Sequence, residues 1–348
     1  IFIFQGRTEN IEKYGKAVAE FQRAGYGAFA LDWRGQGLSD RLTDDRMLGH
    51  VCQYADYQKD VAAFLKAAQD LDLPKPWFLF GHSLGACVGL RALTEGLPVS
   101  ACVFSAPLWD INLPTLQRLG AWPLSWAAQT FSKGTTYAPG TKGESYVLTT
   151  DFDENRLTHD PEMYRYYQSV SENLEDQQVG GPSLQWLFQT LVETRRLSKV
   201  RSPDVPCLTF CGAEDSIVAI PAVRERMGKW NNGQLNLVPN ARHDVLYETS
   251  DIRDRVFGAI AAQFGKHSSS PLALPPIFSG CDTTVPFAEC LFRFGLMSKA
   301  FAKTVFLFQN SIIVFLTCPS RSHHAEHAQN LSLECRGARS GELLFFAA

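Results

Sequence analysis

The chain has 348 residues, 45% of them hydrophobic and 20% charged, which suits an ordinary globular protein with a sizeable core. A net charge of -3 gives a nucleic-acid partner no electrostatic support. Nine cysteines, odd in number and irregular in spacing, argue against a disulfide framework, so a reducing cytoplasm is the expected location.

The first 110 residues alternate strand and helix signals. Residues 1–4 are a short apolar run that ends at Gln5-Gly6. Ile11, Tyr14, Ala17, Val18 and Phe21 follow at helical spacing, with Gly25 where a helix would stop. Residues 28–31 are another apolar run. Tyr54, Tyr57, Val61, Phe64, Leu65 and Ala68 share a helical face. A third run, 77–80, precedes a helical pattern over 86–94, and a fourth covers 101–104. Such alternation implies a parallel sheet with helices on both faces, and a ligand site at the carboxyl ends of the strands.

From 108 to 202 the alternation stops. This stretch carries Trp109, Trp122, Trp126, Trp186 and the cluster Tyr164, Tyr166 and Tyr167, and reads as a mostly helical insertion. Strand and helix patterns resume at 206–210, 222–230, 234–238 and 252–264. Beyond Lys266 the composition changes. Four of the nine Cys and half of the eight His lie there, but no Trp or Tyr. An apolar run at 304–318 is too short to span a membrane and is interrupted by Gln309, Asn310 and Ser311. The tail is expected to stand outside the working domain, either disordered or translated out of frame. A rival reading places a metal on Cys318, His323, His324, His327 and Cys335, but their spacing fits no common zinc pattern. The chain opens on Ile1 rather than Met, and its true N-terminus is expected to be missing, so a leader peptide is not visible.

The strongest chemical signal is Gly81-His82-Ser83-Leu84-Gly85, after a predicted strand and before a predicted helix. A strained strand-to-helix turn lifts such a serine clear of the sheet and tolerates only small residues two places either side. A serine hydroxyl needs a base. His82 is adjacent in sequence and should point away; His50 and His159 read as structural or surface histidines. His243 follows the predicted strand 234–238, at the correct sheet edge. Asp215 lies just past 206–210 and would orient the imidazole; it is favoured over its neighbour Glu214 because the order Ser, Asp, His suits the fold. The backbone amides of Arg7 and Leu84 are the candidate oxyanion donors. The segment Asp32-Trp33-Arg34-Gly35-Gln36-Gly37-Leu38-Ser39-Asp40 reads as a structural loop, not a dinucleotide motif.

Together, Gly6-Arg7-Thr8-Glu9 with Lys13-Tyr14, the Asp32–Ser39 loop, Leu48-Gly49-His50-Val51 and the Ser83 pentapeptide make residues 1–265 similar to the bacterial lysophospholipase and monoacylglycerol lipase group of α/β-hydrolases. The resemblance implies an α/β-hydrolase core at 1–107 and 203–266, a helical cap at 108–202, nucleophile Ser83, acid Asp215, histidine His243 and an oxyanion loop at Gly6-Arg7. The leading β-hairpin of that group is absent here. The tail 267–348 matches nothing in it.

The expected reaction is ester hydrolysis through an acyl-enzyme on Ser83, needing no metal or organic cofactor. A lysophospholipid or monoacylglycerol is the expected substrate. The cap would make peripheral contact with a membrane, the inner membrane for a cytoplasmic enzyme. Alternatives are another ester, thioester or peptide hydrolase on the same triad, or an inactive acyl-binding fragment.

Overall fold

The computed structural model describes residues 1–268 together with the strands at 304–308 and 311–317. The strands are β1 (Phe2–Phe4), β2 (Ala28–Asp32), β3 (Phe78–His82), β4 (Ala101–Ser105), β5 (Cys207–Gly212) and β6 (Gly233–Val238), then β7 (Thr304–Phe308) and β8 (Ser311–Thr317). Their order in the sheet is β6-β5-β4-β3-β1-β2-β8-β7. All neighbours from β6 to β8 are parallel, and β7 is antiparallel to β8.

Strands β1 to β5 are buried along their whole length, which is why they appear as continuous apolar runs rather than alternating ones. Alternate residues still face opposite ways. Phe2, Phe4, Leu79, Cys102 and Phe104 enter one core cluster, with side chains of α2 (Asp56–Asp70), α3 (Leu84–Thr94) and α8 (Ile220–Gly228). Ile3, Phe78, Phe80, Ala101 and Val103 enter the other, with α1 (Gly15–Arg23) and α9 (Ser250–Gly265). Helix α9 supplies Ile252, Val256, Ile260 and Phe264, a strict four-residue ladder along one stripe. Phe264 stacks on Phe78 with ring centroids 4.7 Å apart. Burying aromatic rings of this kind contributes about 1.5–3 kcal/mol each.

The insertion forms α4 (Thr115–Thr130), α5 (Tyr146–Thr149), α6 (Pro161–Asn173) and α7 (Leu184–Leu197). Asp160 caps α6, accepting from the amides of Glu162 and Met163, and Pro161 occupies the first turn where its missing donor costs nothing. Ser183 caps α7 through Trp186. Helix α4 packs on α7, and α7 carries Trp186 and Leu197 into the main core.

The apolar run near the chain's end is the hairpin β7–β8. It lies in register beside β2, from Ala28 opposite Ile313 to Asp32 opposite Thr317. The metal set suggested by Cys318, His323, His324, His327 and Cys335 lies outside the described residues. The described cysteines are Cys52, Cys87, Cys102, Cys207 and Cys211, all free; burial pushes the Cys87 thiol up to about 12. Among the described residues, no helix is long and apolar enough to cross a membrane.

Gly85 sits where α3 meets β1. A Cβ there would stand 1.9 Å from the Phe4 carbonyl oxygen and 2.6 Å from that of Gln5. Gly85→Ala is therefore expected to cost about 3 kcal/mol or more in urea unfolding, because backbone must move. Gly258→Ala, at a helical position with nothing within 4 Å of the new Cβ, should be neutral or stabilising by up to about 1 kcal/mol.

Candidate active site

Strand β3 ends at His82 and α3 begins at Leu84, so Ser83 alone makes the turn. Its φ of 49° and ψ of -112° place a non-glycine residue in strained backbone. Neighbours hold it there. The Ser83 amide donates to the Ser105 carbonyl at 3.0 Å, and the Ser83 carbonyl accepts from Leu108 at 3.1 Å. Gly81 and Gly85 flank the turn, and a Cβ on Gly81 would come within 3.0 Å of Ala86 Cα. The amide of Leu84, in the first turn of α3, has no acceptor within the helix and points from its positive end.

Asp215 follows β5 and His243 follows β6, so both loops leave the sheet at the same edge as Ser83. The Glu214 amide donates to the Ala241 carbonyl at 3.0 Å and ties the two loops together. His243 Nδ1 lies 2.8 Å from Asp215 Oδ2. The other oxygen, Oδ1, accepts from the amides of Ile217 at 2.7 Å and Val218 at 3.1 Å. Burial would raise the Asp215 carboxyl, but His243 and these two amides outweigh it and hold it below the ordinary carboxylate range. Burial likewise opposes a charge on His243, yet Asp215, then Asp244 and Glu9, raise the imidazole above its usual value. Glu214 has a half-exposed side chain and faces His159 Nε2 at 3.2 Å, so Asp215 is the carboxylate that meets His243.

The other histidines are committed elsewhere. His50 Nδ1 pairs with Ser183 Oγ at 2.9 Å, and His159 Nδ1 with Glu248 at 3.1 Å. His82 Nδ1 faces Ser105 Oγ at 3.3 Å, and its ring centroid is 4.9 Å from that of His243. Among the described residues no hydrogen bond joins Ser83 to His243.

The loop after β1 is held from both sides. The Gly6 amide donates to Glu9 Oε2 at 2.6 Å and the Thr8 amide to Gln36 Oε1 at 3.3 Å. Among the described residues the Arg7 amide between them has no protein acceptor. Thr8 adopts φ 63°. Gln36 Nε2 donates to the carbonyls of Gly6 at 2.9 Å and Glu9 at 3.2 Å. Asp32 accepts from Gln5, Ile11 and Leu38. The 32–40 loop thus does more than turn the chain: Gln36 and Asp32 clamp the segment that carries Arg7. The one sequence signal for this was a glutamine set between two glycines. The Arg7 side chain points away from the backbone site, donating to the Gly180 carbonyl at 2.9 Å and lying over Trp186.

The insertion meets the sheet at this same edge. His243 and Asp244 amides donate to the Arg156 and Leu157 carbonyls at 3.3 and 2.9 Å. Ser183 donates to the Gly49 carbonyl at 2.8 Å, and Asn112 to that of Ile217 at 3.0 Å. Its outer helix α4 leaves Leu119 and Trp126 exposed, with Phe131 just beyond.

Residues 1–250 match the family described as "Serine aminopeptidase, S33". Lysophospholipase L2 of Escherichia coli strain K12 is 27% identical over 281 residues, covering 77% of this chain and 81% of that protein. In overall shape the chain resembles monoglyceride lipase of Saccharomyces cerevisiae, with a TM-score of 0.61 at 18% identity, covering 77% of this chain and 86% of the other. Monoacylglycerol lipase of Paleococcus ferrophilus gives 0.59 at 20% identity, over 77% and 94%. With this elbow, these loops and this match over most of its length, the chain belongs to the serine aminopeptidase S33 family of α/β-hydrolases.

Proposed function

We propose that the protein hydrolyses carboxylic esters of single-chain lipids, a lysophospholipid or a monoacylglycerol, through an acyl-enzyme on Ser83. The observation that carries this reading is the buried Asp215–His243 pair at the sheet edge where Ser83 makes its strained turn. Ser83 Oγ attacks the ester carbonyl as His243 Nε2 takes its proton. Asp215 holds the Nδ1 proton and so keeps Nε2 free to accept. The amides of Leu84 and Arg7 receive the oxyanion. His243 then protonates the leaving alcohol, and a water that it activates releases the fatty acid.

The substrate class rests on two supports. Relatives of this chain include a lysophospholipase and, in fold, monoacylglycerol lipases. The insertion, 108–202, serves as a lid whose exposed Leu119, Trp126 and Phe131 meet a lipid surface. The family's name raises peptide hydrolysis as a second reading. An aminopeptidase needs a carboxylate for the substrate ammonium, and the buried pair beside His243, Glu9 and Asp244, is already taken by Lys13. Ester hydrolysis fits this better.

Ser83→Ala is expected to lower turnover by about 10⁶ and to abolish fluorophosphonate labelling. Asp215→Asn should cost on the order of 10⁴ through the wrong histidine tautomer, with an unchanged melting curve, while Glu214→Gln does far less. A reversed order of these two effects on p-nitrophenyl butyrate would make Glu214 the acid.

The pH profile follows from His243. Activity requires the neutral ring, and the folded-state value lies above the ordinary imidazole value. As pH falls, kcat/KM should therefore drop along an acid limb whose midpoint lies above about pH 6.5. A limb well below that value would contradict the charge environment described.

Residues 267–348 lie outside the catalytic unit in this reading. Strand β8 borders β2, which β1 separates from β3 and Ser83. Truncation after Lys266 should leave turnover per labelled active site unchanged. A truncated protein that folds but cannot be labelled would overturn this.

A further inference from the structure

Between the loop that carries Arg7 and the loop that carries His243 lies a second set of buried charges. Lys13 donates to Glu9, four residues earlier, and to Asp244 Oδ2 at 2.5 Å. Its ammonium also lies 4.7 Å from the Tyr167 ring centroid and 5.1 Å from that of Tyr247. Glu9 Oε2 accepts from the Gly6 amide at 2.6 Å and from the Tyr14 hydroxyl at 2.7 Å. Asp244 Oδ2 accepts from the Tyr167 hydroxyl at 2.7 Å. His82 Nε2 stands 3.6 Å from Glu9 Oε1 and 3.9 Å from Asp244 Oδ2.

Such a group is costly to bury, by several kcal/mol for each ion, and a well-packed apolar cluster would be cheaper. Its position gives a reason for it. Gly6 precedes Arg7, and Asp244 follows His243, so the cluster spans two parts of the site, beside the bond that the Tyr247 hydroxyl donates to the Lys13 carbonyl at 2.6 Å. Its charge gives a second reason. The polar atoms of Glu9, His82 and Asp244 gather within 4.8 Å of one another. Lys13 fills that place with a single charge. Burial disfavours the charged form of His82. Two carboxylates against the one Lys13 ammonium leave one negative charge over, and both carboxylates favour the charged form of His243, whose ring centroid is 4.9 Å from that of His82.

We propose that Glu9 and Asp244, bridged by Lys13, are positioning residues that lock the oxyanion loop to the histidine loop and keep one uncompensated negative charge beside His243, favouring the imidazolium formed when Ser83 loses its proton. This rests on the hydrolase reading above. The groups facing His243 are Asp215 from the loop after β5, Asp244 from its own loop, Glu9 and Lys13 from the segment after β1, and His82 from the end of β3. Arg242 is turned to the Thr158 carbonyl at 3.0 Å, and from the cap the Arg156 carbonyl accepts the His243 amide.

The test uses the full chain, with p-nitrophenyl butyrate as substrate and a fluorophosphonate probe. Labelling of wild type but not Ser83→Ala establishes the hydrolase reading by itself; a wild type that resists labelling sinks that reading whatever the other variants do. Glu9→Gln keeps the shape and removes the charge. It is expected to lower kcat by about 10–100-fold, as loss of alignment does, with an acid limb moved to lower pH by about one pH unit, because the imidazolium loses a favourable neighbour. Glu9→Asp keeps the charge, so its acid limb should stay at the wild-type pH even if kcat falls. Asp244→Asn should shift the limb in the same direction as Glu9→Gln, and supplies the readout if that variant does not fold. Wild-type kcat and acid limb in the neutral variants would overturn the proposal. So would a fall in kcat with an unmoved limb, which is the mark of a purely structural brace.

Discussion

Helix α3 can press against β1 only because position 85 has no side chain. That contact sets two things together. It holds the start of α3, and hence the Leu84 amide, against the end of β1, and it places Phe4 and Gln5 directly before the loop that carries Arg7. The strained backbone at Ser83 costs about 1–3 kcal/mol and persists only where its surroundings over-determine it. Here those surroundings are the bonds to Ser105 and Leu108 on one side and the glycine contact on the other. The position of Ser83 and that of the Arg7 loop thus both follow from a single close packing between a helix and the central strand.

Around that contact the polar groups divide by what they hold. Asp215 is committed through both oxygens, to two amides and to His243, so the imidazole cannot swing without breaking a charged hydrogen bond in a buried place. Gln36 and Asp32 do the same for the loop after β1, with neutral or locally satisfied bonds. The insertion is attached by polar contacts at its base: Arg7 to Gly180, His50 to Ser183, Arg253 to Asp160 and Thr158 to Tyr247. Its apolar surface faces outward instead, on α4. A layer pinned at its base and apolar at its rim fits the lid role proposed for it, since its outer face is free to meet lipid while its base keeps its register.

The core was legible because parallel strands buried on both faces leave apolar runs that turn-forming residues interrupt, and every strand from β1 to β5 falls on or within two residues of such a run, while the half-exposed β6 shows as an alternating one. Ser83, Asp215 and His243 could be read from their place after strands, since a parallel sheet sends each strand's end to one edge. Glu9, Lys13 and Asp244 could not. They are charged residues near opposite ends of the core, Lys13 in the one-turn helix Ile11–Tyr14 and the others in loops, and no local periodicity relates residue 13 to residue 244. Gln36 escaped for a related reason: its partners Gly6, Thr8 and Glu9 lie one crossover earlier, and only the packing of β1 beside β2 brings them within reach.

The two buried ion systems also bear on each other. Asp215 and His243 alone would carry a net charge that changes from negative to neutral as the ring takes a proton. Asp244 and Glu9, with Lys13 offsetting only one of them, add to Asp215 in favouring the imidazolium. In a dry interior this matters more than at the surface, because an interaction of about 1 kcal/mol in water becomes about 4 kcal/mol at an effective dielectric of 20. The insertion meets the same loop, where the Arg156 and Leu157 carbonyls accept from the His243 and Asp244 amides. On the proposed reading, insertion, charge cluster and the Ser83–Asp215–His243 set work as one arrangement: a layer that keeps water from these loops would strengthen the influence of the surplus charge on His243.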